Sequence, residues 1–195
     1  ERRLNMLPLS HIFARTCDLY ACLVGASELA FADSPQTAVA DCVTFQPTFI
    51  NAVPYFYERV MRTLIDDGRA DIPGALPEML GGHLRCCCSG GAPLPAHVAQ
   101  FFVEHGLLLI QGYGLTESSP VITMNTPRVF KHGTIGRPLS GVEVRIGDDG
   151  EILSRGPQIM LGYWNRPEET AAALQDGWLH TGDLGDIDAD GFVRI

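Results

Sequence analysis

The sequence predicts an α/β fold, a parallel-sheet βαβ subdomain followed by a β-rich subdomain, and three observations carry the prediction. Residues 84–89, apolar but for Arg85 and the closing Ser89, and residues 107–110, apolar throughout, flank a segment with helical spacing, the pattern of parallel strands covered by helices. From Gly133 onward the texture changes to short alternating segments separated by turns, which reads as antiparallel hairpins. The 195 residues are 46% hydrophobic and 19% charged, a composition able to bury a core. The boundary is placed near residues 128–133, giving an α/β part at 1–130 and a β-rich part at 131–195.

Taken in order, residues 4–65 hold short apolar runs and then Phe56, Val60 and Leu64 at helical spacing, ending at Asp66-Asp67-Gly68; that stripe is expected to face the core. Residues 69–82 carry Pro73, Gly74, Pro77, Gly81 and Gly82, which predicts a loop with at most a short helix. The strand at 84–89 runs into a loop at Gly90-Gly91-Ala92-Pro93-Leu94, and Pro95 opens a helix in which Val98 and Phe102 share a face. Gly106 ends that helix. The second strand runs into Gln111-Gly112-Tyr113-Gly114-Leu115-Thr116-Glu117. Further on, residues 142–146 and 151–155 form a hairpin about a Gly147-Asp148-Asp149-Gly150 turn, with a second hairpin about Asp188-Ala189-Asp190-Gly191.

A formal net charge of −9 disfavours non-specific binding to nucleic acid or anionic lipid. No run reaches the roughly 18–20 apolar residues of a membrane span. Lys131 is the only lysine among 14 basic side chains, so a catalytic lysine has one candidate. The six cysteines include the consecutive Cys86, Cys87 and Cys88, where neighbours in a strand point to opposite faces; they are expected to pack as small apolar residues rather than to bind metal. Both ends look cut, the chain starting at Glu1 without methionine and stopping in a strand-like Phe192-Val193-Arg194-Ile195, so a piece of a longer protein is expected.

In a right-handed βαβ unit the loops at Gly90 and Gly112 leave the same carboxyl edge of the sheet, where open α/β sheets bind ligands. Glycine admits a close backbone approach, while Thr116 offers a hydroxyl and Glu117 a carboxylate, which suit a phosphate and its divalent cation. Either loop alone is equally well a tight turn; together they favour a nucleotide site. Other motifs fail. Asp186, Asp188, Asp190 and Gly191 open like a calcium loop, but the preceding glycines break the required helix and the twelfth loop position falls beyond Ile195. Lys131 lacks a Walker A frame, Gly112-x-Gly114 lacks the third glycine of a dinucleotide fingerprint, and no nucleophile elbow occurs.

Several segments in one order resemble the AMP-forming adenylating superfamily of acyl-CoA synthetases, peptide-synthetase adenylation domains and firefly-type luciferases. They are Leu7-Pro8-Leu9-Ser10-His11-Ile12-Phe13, in the form common in long-chain fatty acyl-CoA synthetases; Ser89-Gly90-Gly91-Ala92-Pro93-Leu94; Gln111-Gly112-Tyr113-Gly114-Leu115-Thr116-Glu117; Gly150-Glu151-Ile152-Leu153, Gly156-Pro157 and Gly162-Tyr163 with Pro167-Glu168-Glu169-Thr170; and Trp178-Leu179-His180-Thr181-Gly182-Asp183. The resemblance implies the large N-terminal domain of an adenylate-forming enzyme, its β-rich part a distorted barrel ending just before the interdomain hinge. The activity implied is that of an AMP-forming long-chain fatty acid-CoA ligase: fatty acid, ATP and CoA give acyl-CoA, AMP and pyrophosphate through an acyl-adenylate.

The resemblance also implies roles. Thr116 would bond phosphate oxygens and Glu117 would bind Mg²⁺. Tyr113 would stack on adenine and Asp183 would accept from the ribose hydroxyls. Gly90, Gly91, Ala92, Pro93, Gln111, Gly112, Gly114 and Leu115 would line the nucleotide, and His11 with Gly90 would face the acyl group. The family's phosphate loop would lie upstream of Leu4 and its lysine-bearing domain beyond Ile195, so Lys131 has no catalytic role and the isolated piece is expected to be inactive. A cytoplasmic enzyme is expected, and a long-chain substrate is compatible with peripheral contact at the inner face of a membrane. The alternatives are an adenylating enzyme for another carboxylate, a fatty acyl-AMP ligase lacking the thiol step, or an inert nucleotide-binding module.

Overall fold

The computed structural model describes residues 1–195, arranged as two compact units, Glu1–Ile110 and Gln111–Ile195. In the first unit β1 (Arg2–Asn5) is followed by a helical passage made of α1 (Ile12–Ala14), a π-helical stretch (Arg15–Tyr20) and α2 (Ala21–Gly25). Then come β2 (Glu28–Phe31), α3 (Ala38–Phe45), β3 (Phe49–Ala52), α4 (Pro54–Asp66), α5 (Ala75–Met79), β4 (Cys86–Ser89), α6 (Ala96–Glu104) and the start of β5 (Leu109–Gly114). Strands β2, β1, β3 and β4 lie side by side in that order, all parallel. The Cys87 N–H donates to the Leu108 carbonyl at 2.8 Å, which carries the ladder to the residue before β5. No helix is long and apolar enough to cross a membrane.

The expected βαβ unit is present. All four residues of β4 are buried, and in α6 Val98 and Phe102 are fully buried on one face. Proline at the first position of α4 pre-sets the helical φ, and Phe56, Val60 and Leu64 face the core together with Tyr57 and Met61. Each such side chain contributes roughly 1.5–3 kcal/mol on burial. Tyr57 meets Phe56 and Phe102 edge to face at 5.4 and 5.3 Å. Its hydroxyl donates to the Cys88 carbonyl at 2.8 Å, so the buried phenol keeps a partner.

All six cysteines are free thiols, and all but Cys17 are buried. Burial pushes the Cys86 thiol up to about 11 and Cys42 up to about 12, so these groups stay protonated and inert.

The π-helical stretch turns Asp18 inward, where it is fully buried. One carboxylate oxygen accepts from Asn51 Nδ2 at 2.7 Å and lies 3.8 Å from the Arg3 guanidinium, while Oδ2 has no partner. Burial outweighs the Asn51 hydrogen bond and the Arg3 charge and pushes this carboxyl from 3.8 up to about 6. The folded state therefore holds the proton more tightly than the unfolded chain, so stability falls as pH rises from about 4 through 6. Asp18→Asn should match the parent protein near pH 4 and exceed it above pH 6 by about 2–3 kcal/mol. Urea midpoints across that range test this, and a variant no more stable at pH 7 would contradict it.

The second unit contains the end of β5, then β6 (Val121–Met124), β7 (Arg137–Pro138), β8 (Glu143–Ile146), β9 (Glu151–Arg155), α7 (Pro167–Ala173), β10 (Leu174–Gln175), β11 (Trp178–Leu184), β12 (Asp186–Ile187) and β13 (Val193–Arg194). β6 pairs antiparallel with both β5 and β7. A four-stranded antiparallel sheet has the order β10-β11-β9-β8, and β12 pairs with β13. Both expected hairpins form, β8 with β9 and β12 with β13. The acidic run at the second hairpin is engaged by the protein's own cation: Lys131 Nζ lies 2.7 Å from Asp188 and 2.9 Å from Asp190. Asp186 pairs with Arg194 at 3.1 Å. The lone lysine thus ties a turn.

Candidate functional site

In the first unit the candidate acyl residues meet through Phe13. His11 sits at the N-cap of α1 in extended backbone, and its Nδ1 accepts from the Phe13 N–H at 3.2 Å. The ring is exposed, with Nε2 turned to no protein partner. Gly90 is buried, and a Cβ built there would stand 3.1 Å from the Phe13 ring, so a bare backbone suits this contact. Gly91 has φ +79, a conformation that glycine adopts without steric cost. Gly91, Ala92 and Pro93 are exposed while Leu94 anchors the loop in the core.

In the second unit β5 leads through Gln111, Gly112 and Tyr113 to the turn that carries Thr116 and Glu117. The Gln111 carbonyl accepts from the Asn125 N–H at 2.9 Å, and Gly112 and Tyr113 lie opposite Met124 and Thr123. The turn is pinned by Ser118, which is fully buried: its hydroxyl donates to the Pro120 carbonyl at 2.6 Å and accepts from the Leu115 N–H at 2.9 Å. Thr116 is left exposed and Glu117 half-buried.

Tyr113 and Asp183, 70 residues apart, are joined directly, the phenol donating to the carboxylate at 2.7 Å. Burial, with the negative charge of Asp183 adding to it, pushes the Tyr113 phenol up, so it remains a donor at neutral pH. Asp183 stands at a register shift of β11 against β9 between His180 and Leu184, and such irregularities re-aim a side chain. Glu151 holds this bend from below: one oxygen accepts from the Gly182 N–H at 2.7 Å and the other lies 2.7 Å from His180 Nδ1. Thr181 bridges the Ile152 carbonyl at 2.7 Å and the Asp183 N–H at 3.2 Å.

Glu117 is met by two groups of a later segment. Tyr163 donates its hydroxyl to Oε1 at 2.7 Å, and the Met160 N–H donates to the Glu117 carbonyl at 2.8 Å. Oε2 has no partner. No group of three or more histidine, cysteine or acidic side chains could cage a metal ion. A single open carboxylate instead fits a magnesium ion that arrives with a nucleotide, since such ions take one or two carboxylates plus substrate phosphates.

Ser118, Glu151 and Tyr163 received no role from sequence reasoning. The last two lie in segments that carry the resemblance, but their contacts span 31 and 46 residues and leave no periodic signal.

The profile of the AMP-binding enzyme family matches residues 1–164. A long-chain-fatty-acid–CoA ligase, FadD15, of Mycobacterium bovis is 33% identical over 234 aligned positions, covering 100% of this chain and 39% of that protein. O-succinylbenzoate coenzyme A synthetase (MenE) of Bacillus subtilis, solved with ATP and a magnesium ion, superposes with a TM-score of 0.80 at 29% identity, covering 100% of this chain and 41% of that one. The anthranilate CoA ligase AuaEII, solved with anthranoyl-AMP, gives a TM-score of 0.83 at 26% identity, covering 100% and 39%. The chain thus spans about two fifths of the length of these relatives. With the profile covering most of its residues and a relative aligned along all of them, the chain belongs to the AMP-binding enzyme family, and its matched relatives are CoA ligases.

Proposed function

We propose that this chain supplies much of the adenylate pocket of an AMP-forming long-chain fatty acyl-CoA synthetase. In the first half-reaction a fatty acid carboxylate oxygen attacks the α-phosphorus of ATP, giving acyl-adenylate as the bond to pyrophosphate breaks. In the second the CoA thiol attacks the acyl carbon, AMP leaves and the thiol proton is released.

The observation that carries the reading is the second unit's trio of side chains. Tyr113 and Asp183 form one aromatic and carboxylate pair, suited to adenine and ribose hydroxyls, and Glu117 on the same strand–turn segment keeps one oxygen open. Thr116, exposed beside Glu117, would bond phosphate oxygens, and Gln111, Gly112, Gly114 and Leu115 would shape the backbone along the nucleotide. Magnesium, when bound, neutralises charge on the phosphates and the leaving pyrophosphate. In the first unit His11 and the loop of Gly90, Gly91, Ala92 and Pro93 would line the acyl and adenine groups. The functional division at 130/131, a cytoplasmic enzyme and peripheral membrane contact by a long-chain substrate belong to the same proposal.

The relatives named above act on different acids, so the acyl group is the part to test. Pyrophosphate release by the full-length protein across aliphatic acids of graded length, ferulate, o-succinylbenzoate and anthranilate should favour long-chain aliphatic acids at least tenfold in kcat/KM, with acyl-CoA formed when CoA is added. Preference for an aryl acid would overturn the long-chain assignment. Acyl-adenylate that never passes to CoA would favour an acyl-AMP ligase, and the absence of pyrophosphate release with every acid would favour an inert module.

A further inference from the structure

The contact between Tyr163 and Glu117 asks for an explanation beyond folding. Both are partly exposed, yet one short segment grips Glu117 twice, through the Tyr163 hydroxyl at 2.7 Å and the Met160 N–H at 2.8 Å. Tyr163 is itself held. Its N–H donates to Thr170 Oγ1 at 2.9 Å, and the Thr170 hydroxyl donates on to the Arg166 carbonyl at 2.7 Å. Gly162 beside it has φ +147, and a Cβ there would stand 2.7 Å from Thr170 Cγ2, so the approach of the segment to α7 depends on its bare backbone.

A glutamate side chain that becomes fixed only on meeting its ligand loses rotamer freedom at that moment. A phenol already bonded to Oε1 removes part of that loss and leaves Oε2 as the single open donor. Hydrogen-bonded partners of metal carboxylates orient the ligand in this way.

We propose that Tyr163 is a positioning residue that holds Glu117 with Oε2 presented to the divalent cation of the nucleotide. This rests on the reading of Glu117 as the magnesium carboxylate. The test uses the full-length protein with Tyr163→Phe, Thr170→Val and Glu117→Gln. It measures Mn²⁺ binding by electron paramagnetic resonance in the presence of a non-hydrolysable ATP analogue, and the Mg²⁺ dependence of pyrophosphate release.

Tyr163→Phe should weaken Mn²⁺ binding and raise the half-saturating Mg²⁺ about tenfold, with the rate at saturating Mg²⁺ within twofold of the parent and the melting temperature unchanged. Thr170→Val should shift both in the same direction by less. Wild-type Mn²⁺ affinity and Mg²⁺ dependence in Tyr163→Phe would overturn the proposal, as would a loss that high Mg²⁺ does not rescue and that accompanies a lower melting temperature. If Glu117→Gln itself keeps wild-type Mn²⁺ affinity, the reading of Glu117 falls instead, and the two failures are distinguished.

Discussion

Gly114→Ala should destabilise the full-length protein by at least about 3 kcal/mol, whereas Gly112→Ala, two residues earlier on the same strand, should cost less than about 1 kcal/mol beyond its change in backbone freedom. Neither glycine has a positive φ, so backbone strain does not separate them; space does. A Cβ at Gly114 would lie 1.7 Å from the Pro120 carbonyl oxygen and 3.0 Å from the Ile122 nitrogen, both main-chain atoms that cannot swing aside. At Gly112 the nearest atoms are the Thr123 carbonyl at 3.6 Å and Met124 Cγ at 3.7 Å, ordinary contacts. The crowding follows from the register shift at Tyr113/Gly114, where β6 closes over β5, and from Ser118, whose hydroxyl draws the Pro120 carbonyl inward. Relief of the clash must open the turn that carries Thr116 and Glu117, so Gly114→Ala should also lose adenylate formation. Urea midpoints of the two variants decide the matter, and equal midpoints would remove the steric account.

Strand β4 and helix α6 show what could be read from residues alone. Cys86, Cys87 and Cys88 in one run, with Val98 and Phe102 one helical turn apart, carry a local signal that needs no knowledge of distant partners, and the βαβ unit follows from it. β1 and β2 carry no such signal. Arg2-Arg3-Leu4-Asn5 breaks the apolar pattern because both arginines have specific partners: Arg2 pairs with Glu28 at 2.9 Å and lies over the Phe45 ring, and Arg3 reaches Glu1, the Cys17 carbonyl and the Phe49 ring. Nothing in the local sequence marks Asp18 for burial, and the π-helical stretch turns it inward. At the candidate site, Tyr113, Thr116, Glu117 and Asp183 were named from motif and chemistry. The groups that hold them, Ser118, Glu151 and Tyr163, act through single hydrogen bonds set by tertiary register, which composition and spacing do not encode.

Glu117→Gln should lower the rate of pyrophosphate release at saturating acid and ATP by about 100- to 1,000-fold, the range seen when one preorganised electrostatic contact to a reacting centre is removed, about 2.7–4 kcal/mol. The amide is chosen because it changes charge and little else. Its oxygen still accepts from the Tyr163 hydroxyl, and the main-chain bond from Met160 to residue 117 does not involve the side chain. The melting temperature should therefore stay within about 2 °C of the parent, which separates a lost metal carboxylate from a displaced turn. Glu117→Asp makes the opposite change. It keeps the charge but withdraws it by one methylene, out of reach of Tyr163 at the present 2.7 Å, and should fall between the parent and the amide, recovering as Mg²⁺ is raised while the amide does not. A Glu117→Gln protein with parental rates at limiting Mg²⁺ would remove Glu117 from the reaction. The magnesium would then have to be held by the nucleotide and by groups other than this carboxylate.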